Sequence, residues 1–418
     1  MKKKTGKIIA VLLLAVVLTS AVLMYCGGFG TGPCADTAEF EKYAKPVEEI
    51  SVPEGTRIVA LGEATHGNKE FQQLKLDVFK ILVSNYGVRA FALEGDYGGC
   101  EYVNRYIHGA EGTADEAVAE VGFNIYKTDE MASLVEWMRE YNETAEPGQD
   151  IFFYGFDMQR YMHSFMFLLE AVNKLGLDSS SLEKLWDYGS NGFSSVYDSD
   201  ARIQVFEDLE KKLSGMDEAL SEQASHLCIM LIQNIELGKN ISSGSSGNAL
   251  RDQFMADNVN WIIKAEEERG NKCIFVSAHN GHIEKAGYYG TGMPVMGTIL
   301  AGEYDNAYFA IGTDFYKTTC NLPKSDGSRI KHTFFSYDSL AKAAKKCGKG
   351  ICWLDFSTVP ESSALYSAIS EYHWMGSIGE SYSILMNFLP FTYRVMRYPN
   401  QVFDGIIIVS NAHPTKIA

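Results

Sequence analysis

Short apolar runs punctuate the chain, each bounded by polar or turn-forming residues: Arg57–Leu61, Val88–Glu94, Asp150–Asp157, Cys273–Ala278, Ala307–Thr313, Gly350–Asp355 and Asp404–Ser410. They are mostly continuous rather than alternating, the pattern of strands covered on both faces by helices. Between the first two, Phe71, Leu74, Val78 and Leu82 recur at helical spacing and complete a strand–helix–strand unit. Such units predict an α/β fold with a mainly parallel central sheet covered by helices. From about Tyr161 to Glu268 the rhythm changes. Val205–Leu213 and His226–Leu237 read as amphipathic helices and Ile241–Gly247 as a Ser/Gly-rich loop. Arg251–Glu267 reads as a further helix with Asn248 as its N-cap. With no strand signal there, residues 161–268 are expected to form a helical subdomain inserted over the carboxyl ends of the strands.

The amino terminus follows another rule. Lys2, Lys3, Lys4 and Lys7 precede an apolar stretch from Ile8 to Met24, the order of a secretory signal or an N-terminal membrane anchor. Leu23-Met-Tyr-Cys26 faintly resembles a lipoprotein cleavage site, but Tyr25 is bulky where a small residue is required. Residues 1–26 are therefore expected to direct export, anchored or secreted, with 27–38 a linker and 39–418 one domain. The eight cysteines fit an exported protein without fixing any pairing. Cys26 and Cys34 flank the linker, and Cys347 and Cys352 are near neighbours. Cys100, Cys228 and Cys273 read equally well as small apolar core residues. A formal net charge of −16 excludes a nucleic-acid partner, since phosphate binding needs a basic surface.

Candidate chemistry gathers where the runs end. Gly62-Glu63-Ala64-Thr65-His66-Gly67 follows the first, and His279-Asn280-Gly281-His282 follows the fourth. Glu94 and Asp96 close the second, and Asp157 closes the third. In open α/β sheets ligands bind outside the carboxyl ends of the strands. One charged residue at a strand end is commonplace. Four ends with ionisable groups point to proton-transfer or metal chemistry. Asp96 and Asp157 are read equally as caps of following helices. Arg251 and Asp252 read either as cleft-facing or as a structural ion pair. There is no G-x-S-x-G, H-E-x-x-H, P-loop or dinucleotide fingerprint. Without an obvious nucleophile, the economical mechanism is direct attack by water. A histidine serves as base and a nearby Glu fixes its tautomer. Two His and two Glu could instead bind a divalent ion.

Gly62-Glu-Ala-Thr-His66-Gly, Phe91-Ala-Leu-Glu94, Gly155-Phe-Asp157, Arg251-Asp-Gln-Phe-Met-Ala, Ala278-His-Asn-Gly-His282-Ile, Met293-Pro-Val-Met-Gly297 and Asp404-Gly-Ile occur in this order. In this the chain resembles the erythromycin esterase family over about Glu39 to Ser410. The resemblance implies an α/β core with a helical part and a metal-independent hydrolysis of macrolide lactones. It implies that His66 is the general base and that Glu63, Glu94, His279 and His282 are its companions. Lys75 stands where the family's esterases carry an arginine, keeping the charge but losing the planar bidentate fork. Lys75, Asp157 and Arg251 are accordingly expected to face substrate. The leading expectation is a hydrolase of carboxylic esters or lactones with a small-molecule substrate, no cofactor and no metal. A metal-dependent hydrolase using the same cluster and a non-catalytic surface protein that binds a ligand are the rivals.

Overall fold

The computed structural model describes residues 11–20, 33–189, 192–193, 198–240 and 244–416. The fold is α/β, a mainly parallel mixed sheet with surrounding helices, as the continuous apolar runs predict. By internal contacts the chain divides into two compact units.

One unit comprises Val52–Leu61 and Gln72–Phe309. It contains most of β1 (Ile58–Glu63) together with β2 (Ala90–Asp96), β3 (Phe152–Asp157) and β4 (Ile274–His279), in the order β3-β2-β4-β1. β2 runs parallel to both β3 and β4. β1 and β2 are buried at every position, which explains why they read as unbroken apolar runs. Phe79, on the helix Lys69–Tyr86, packs its ring 5.2 Å from Phe91 of β2 and 5.6 Å from Phe275 of β4. Between β3 and β4 the described residues contain helices and turns but no strand. The main helices are Met162–Lys174, Ser199–Leu213, Ala219–Asn240 and Ser245–Glu268. The last begins six residues before Arg251, so Asn248 lies inside it and Gly244 takes the cap position. The anticipated N-cap is corrected here. The start follows the glycine's positive φ of 58° rather than an Asn side chain.

The other unit comprises Gly62–Phe71, Ala310–Thr415 and the described residues before Val52. It holds β5 (Tyr308–Pro323) from Ala310 on, β6 (Arg329–Phe335), β7 (Ile351–Asp355), β8 (His373–Gly376), β9 (Arg394–Arg397) and β10 (Gly405–Ala412). β10 lies between β5, to which it is parallel, and β7, to which it is antiparallel. β5 continues well past its apolar half, and that extension pairs antiparallel with β6. β8 and β9 form a separate two-stranded sheet. β6, β8 and β9 are half-buried, and their charged and polar residues hide them from a search for apolar runs.

In the expected export segment, residues 11–20 form an exposed helix. The rest, with Lys2 to Lys7 and Leu23 to Cys26, lies outside the described residues. Among the described residues no helix is long and apolar enough to cross a membrane. The seven described cysteines are all free, with Cys100 and Cys228 buried as small apolar residues.

The turn after β1 is fastened from within its own unit. Ala64 N–H donates to Thr313 Oγ1 at 2.8 Å, and Ala64 O accepts from Ile378 N at 2.8 Å. Gly67 O accepts from the backbone N–H groups of Asn321 and Thr415. A Cβ at Gly67 would stand 2.9 Å from Asn321 N, so only glycine lets these strands approach. Asn68 is fully buried. Its amide donates to Thr319 O at 2.8 Å and His413 O at 2.9 Å, and its oxygen accepts from Thr318 Oγ1 at 2.7 Å. Asn68→Ala strips these groups of their partner. It is expected to destabilise the protein by about 2–3 kcal/mol, read as a lowered denaturant midpoint. An unchanged midpoint contradicts the fastening.

Candidate functional site

Two groups of side chains answer to the sequence expectations, one in each unit. Glu63 ends β1 and His66 sits three residues on, in the glycine-flanked turn. Both are buried, and His66 Nδ1 contacts Glu63 Oε1. A carboxylate at Nδ1 makes that nitrogen the proton-bearing donor and leaves Nε2 with its lone pair. A histidine so arranged can accept a proton while its partner steadies the resulting imidazolium.

The second group centres on Glu94 at the end of β2. Its Oε1 accepts from Arg251 Nη2 at 2.8 Å, and its Oε2 accepts from the backbone N–H of His279 at 2.8 Å. Arg251 also donates from Nη2 to Asp157 Oδ2 at 2.6 Å, and from Nε to both Asp157 oxygens at 3.2 Å. One guanidinium thus joins the ends of β2 and β3. Burial opposes its charge, but Asp157 and then Glu94 outweigh that and hold Arg251 well above the ordinary guanidinium value. His282 Nε2 lies 3.3 Å from Glu94 Oε1 and 3.2 Å from Arg251 Nη1. Its Nδ1 lies 2.6 Å from Asp252 Oδ1, an ionic approach without hydrogen-bond alignment. Burial alone would lower the His282 pKa. Asp252 and Glu94 override it and push the imidazole up to about 10. Three carboxylates therefore surround two cations. Among the described residues no group of three His, Cys, Asp or Glu side chains is arranged to hold a metal ion.

His279 is the N-cap of the short helix Asn280–Ile283, its Nδ1 accepting from Gly281 N–H at 3.2 Å. That bond assigns the neutral ring proton to Nε2, making it a donor. Asp96 takes the capping role foreseen for it: it accepts from Gly99 N–H at the start of the helix Tyr97–Ile107 and from Arg160 N–H. Burial pushes its carboxyl up to about 8. Asp157 accepts from Met158 N–H but is committed chiefly to Arg251. Lys75 is buried on the helix Lys69–Tyr86, donating to Gln72 Oε1 at 2.9 Å with its ammonium 5.7 Å from the Tyr126 ring centre.

Gln72 and Tyr126 were not anticipated. Gln72 stands one helical turn before Lys75, which is the only signal the sequence offers for it. A cavity of about 700 Å³ lies at the amino ends of β1 and β4 beside Arg57, Glu267, Lys272 and Cys273. None of the expected site residues lines it.

Histidine–carboxylate pairs at the strand ends of an α/β sheet are the equipment of a hydrolytic enzyme. The profile of the erythromycin esterase family matches residues 83–412, and the chain belongs to that family, whose members are hydrolases. Glu94, Asp157, Arg251, His279 and His282 fall inside the matched range, while Glu63, His66 and Lys75 precede it. Among curated relatives, erythromycin esterase type II of Escherichia coli is 27% identical over 351 residues, 73% of this chain and 82% of that protein. A Bacillus cereus protein of known structure shares the fold with a TM-score of 0.76 at 21% identity, covering 92% of this chain and 99% of its own. A mutant of the erythromycin esterase EreC in its open conformation superposes with a TM-score of 0.62 at 17% identity, over 90% of this chain and 98% of that one.

The His282 network has a pH signature. Its pKa is raised in the folded state from 6.5 to about 10, so its stabilisation is full below pH 6.5 and lost as pH rises through about 10. His282→Gln is expected to be less stable than the parent at pH 7, with the gap closing toward pH 10 in denaturant titrations. A gap independent of pH contradicts the charged pairing.

Proposed function

We propose that the chain hydrolyses carboxylic esters or lactones by direct attack of water, with His66 as general base. The observation that carries this reading is the buried Glu63–His66 pair on a turn fastened at Ala64, Gly67 and Asn68. Glu63 fixes the ring with Nε2 as acceptor, so His66 takes the proton of water as it attacks the ester carbonyl. The carboxylate then stabilises the imidazolium, which returns the proton to the departing alkoxide. Glu94, His279 and His282 are assigned as further site residues on the motifs they share with the family. Asp157 acts through Arg251, which it holds charged and oriented. Lys75, buried beside Gln72, acts through what it positions rather than by open contact. Macrolide lactones are the finer substrate assignment, supported by family membership and by the named activity of the Escherichia coli relative.

We further place the activity outside the cytoplasm, membrane-anchored or secreted. The support is the lysine cluster followed by the apolar stretch Ile8 to Met24. The helical region 161–268 is assigned a part in shaping substrate choice.

Purified protein screened against macrolides, other lactones and simple esters is expected to hydrolyse at least one class. On that substrate His66→Ala should lower turnover by about 10²–10⁴ while the far-ultraviolet circular dichroism is unchanged. Undiminished turnover by a folded His66→Ala variant removes His66 from the mechanism.

A further inference from the structure

Another cavity, of about 400 Å³, lies beside the amino-terminal half of β3, at residues Phe152 to Gly155. Its remaining walls come from the helices Tyr97–Ile107, Ala219–Asn240 and Ser245–Glu268 and from Arg269. All of them belong to the unit that contains Gln72–Phe309. None of the residues assigned to ester chemistry lines it. The volume suits a small molecule.

The walls are aromatic. Trp261 and Tyr97 meet edge to face at 6.0 Å, and Phe152 and Tyr154 line the strand side. Buried His226 backs the first pair, stacking on Trp261 at 3.9 Å and meeting Tyr97 at 4.9 Å. Burial pushes that imidazole down to about 3, so it is neutral and brings no positive charge. Tyr97 is only 5% exposed, yet its hydroxyl bonds to no described residue. What access the hydroxyl keeps is through the cavity that the side chain lines. A buried hydroxyl without a partner is unfavourable, and a ligand that bonds it relieves the penalty.

The charge is one-sided. Glu101, Glu222 and Glu268 line the cavity, against Arg269 as the one cationic side chain described there. Arg269 is already committed to Glu266 at 2.9 Å and Asp150 at 3.4 Å. Glu101 is met by Arg105, but Glu222 and Glu268 have no ion-pair partner among the described residues. Glu222 lies in the first turn of its helix, where the backbone dipole steadies a carboxylate. Aromatic rings and unpaired carboxylates together attract a cation, and a phenol oxygen can accept one of its protons.

An added peptide strand is the competing occupant, because β3 ends its side of the sheet. Phe152 N–H bonds to Arg89 O on the β2 side, so Phe153 N–H points to the open edge. Asn104 Oδ1 already takes that proton at 3.2 Å. The edge is blunted where a strand would add, which favours a small molecule.

We infer that this cavity binds a primary ammonium ion carried on a flat apolar group, as in an arylalkylamine. The aromatic walls take the apolar group, the Tyr97 oxygen accepts an N–H, and Glu222 and Glu268 balance the charge. The inference stands apart from the esterase reading and holds or fails without it.

The test is calorimetric titration of the full chain, at neutral pH and low salt, with benzylamine, benzyltrimethylammonium, benzyl alcohol and benzoate. Benzylamine is expected to bind one to one, at least about tenfold more tightly than benzyl alcohol, and benzoate not to bind. Glu222→Gln combined with Glu268→Gln should weaken benzylamine about tenfold and benzyl alcohol by less than about twofold. Tyr97→Phe should weaken benzylamine and leave benzyltrimethylammonium unaltered, since that cation has no N–H to donate. These substitutions nearly keep side-chain volume, so folding is spared. Equal affinity for amine and alcohol overturns the inference and leaves an apolar hollow. Absence of saturable benzylamine binding overturns it as well, and so does amine binding that neither the carboxylate variant nor Tyr97→Phe changes.

Discussion

Within the unit that carries β2, β3 and β4, one carboxylate holds the strand ends in register. Glu94 accepts from the Arg251 guanidinium with one oxygen and from the His279 backbone N–H with the other. A buried carboxylate is costly unless its lone pairs are filled, and removing one partner of such a pair typically destabilises by about 3–5 kcal/mol. Glu94 is filled from two directions, by a helix and by the next strand end. This places the His279-Asn280-Gly281-His282 segment, and Asp157 locks the other side of the guanidinium. The helix Ser245–Glu268 is therefore bound electrostatically to the strands it follows.

The turn bearing His66 obeys a different economy. It has few charges and many backbone bonds, with Gly67, Asn68 and Ala64 each committed to groups on β5, to Ile378 or to the residues after β10. Rigidity of this kind suits a general base, whose efficiency depends on holding one tautomer in one orientation. The same bonds carry the β8–β9 loop, so the element that positions His66 also roots that loop.

Much of this was legible in the sequence. The seven runs became strands because burial of most of their positions demands apolar residues in succession, and Glu63, His66, Glu94 and His279 were visible as polar interruptions at their ends. β6 was not legible. Arg329-Ile-Lys-His-Thr alternates on a half-buried ribbon paired with the extension of β5. The start of the helix at Ser245 was missed because Asn248 is a good cap in isolation, while the chain used the positive φ of Gly244. The bidentate hold of Arg251 on Asp157 spans 94 residues, and the strap from Ala64 to Ile378 is longer still. Neither leaves a local signature. Asp157 could therefore be read as a cap when its main partner is a guanidinium from a distant helix.

The central claim is that water attacks the ester directly and that no side chain becomes acylated. With Glu63 and Glu94 both present, the rival is a carboxylate nucleophile forming a mixed anhydride. A single turnover with enzyme in excess over an acyclic ester it hydrolyses, quenched rapidly in acid, separates the two. Direct attack predicts that acid and alcohol appear together and that the protein keeps its mass at every time. Alcohol released ahead of acid, with the protein heavier by the acyl group at Glu63 or Glu94, contradicts the account.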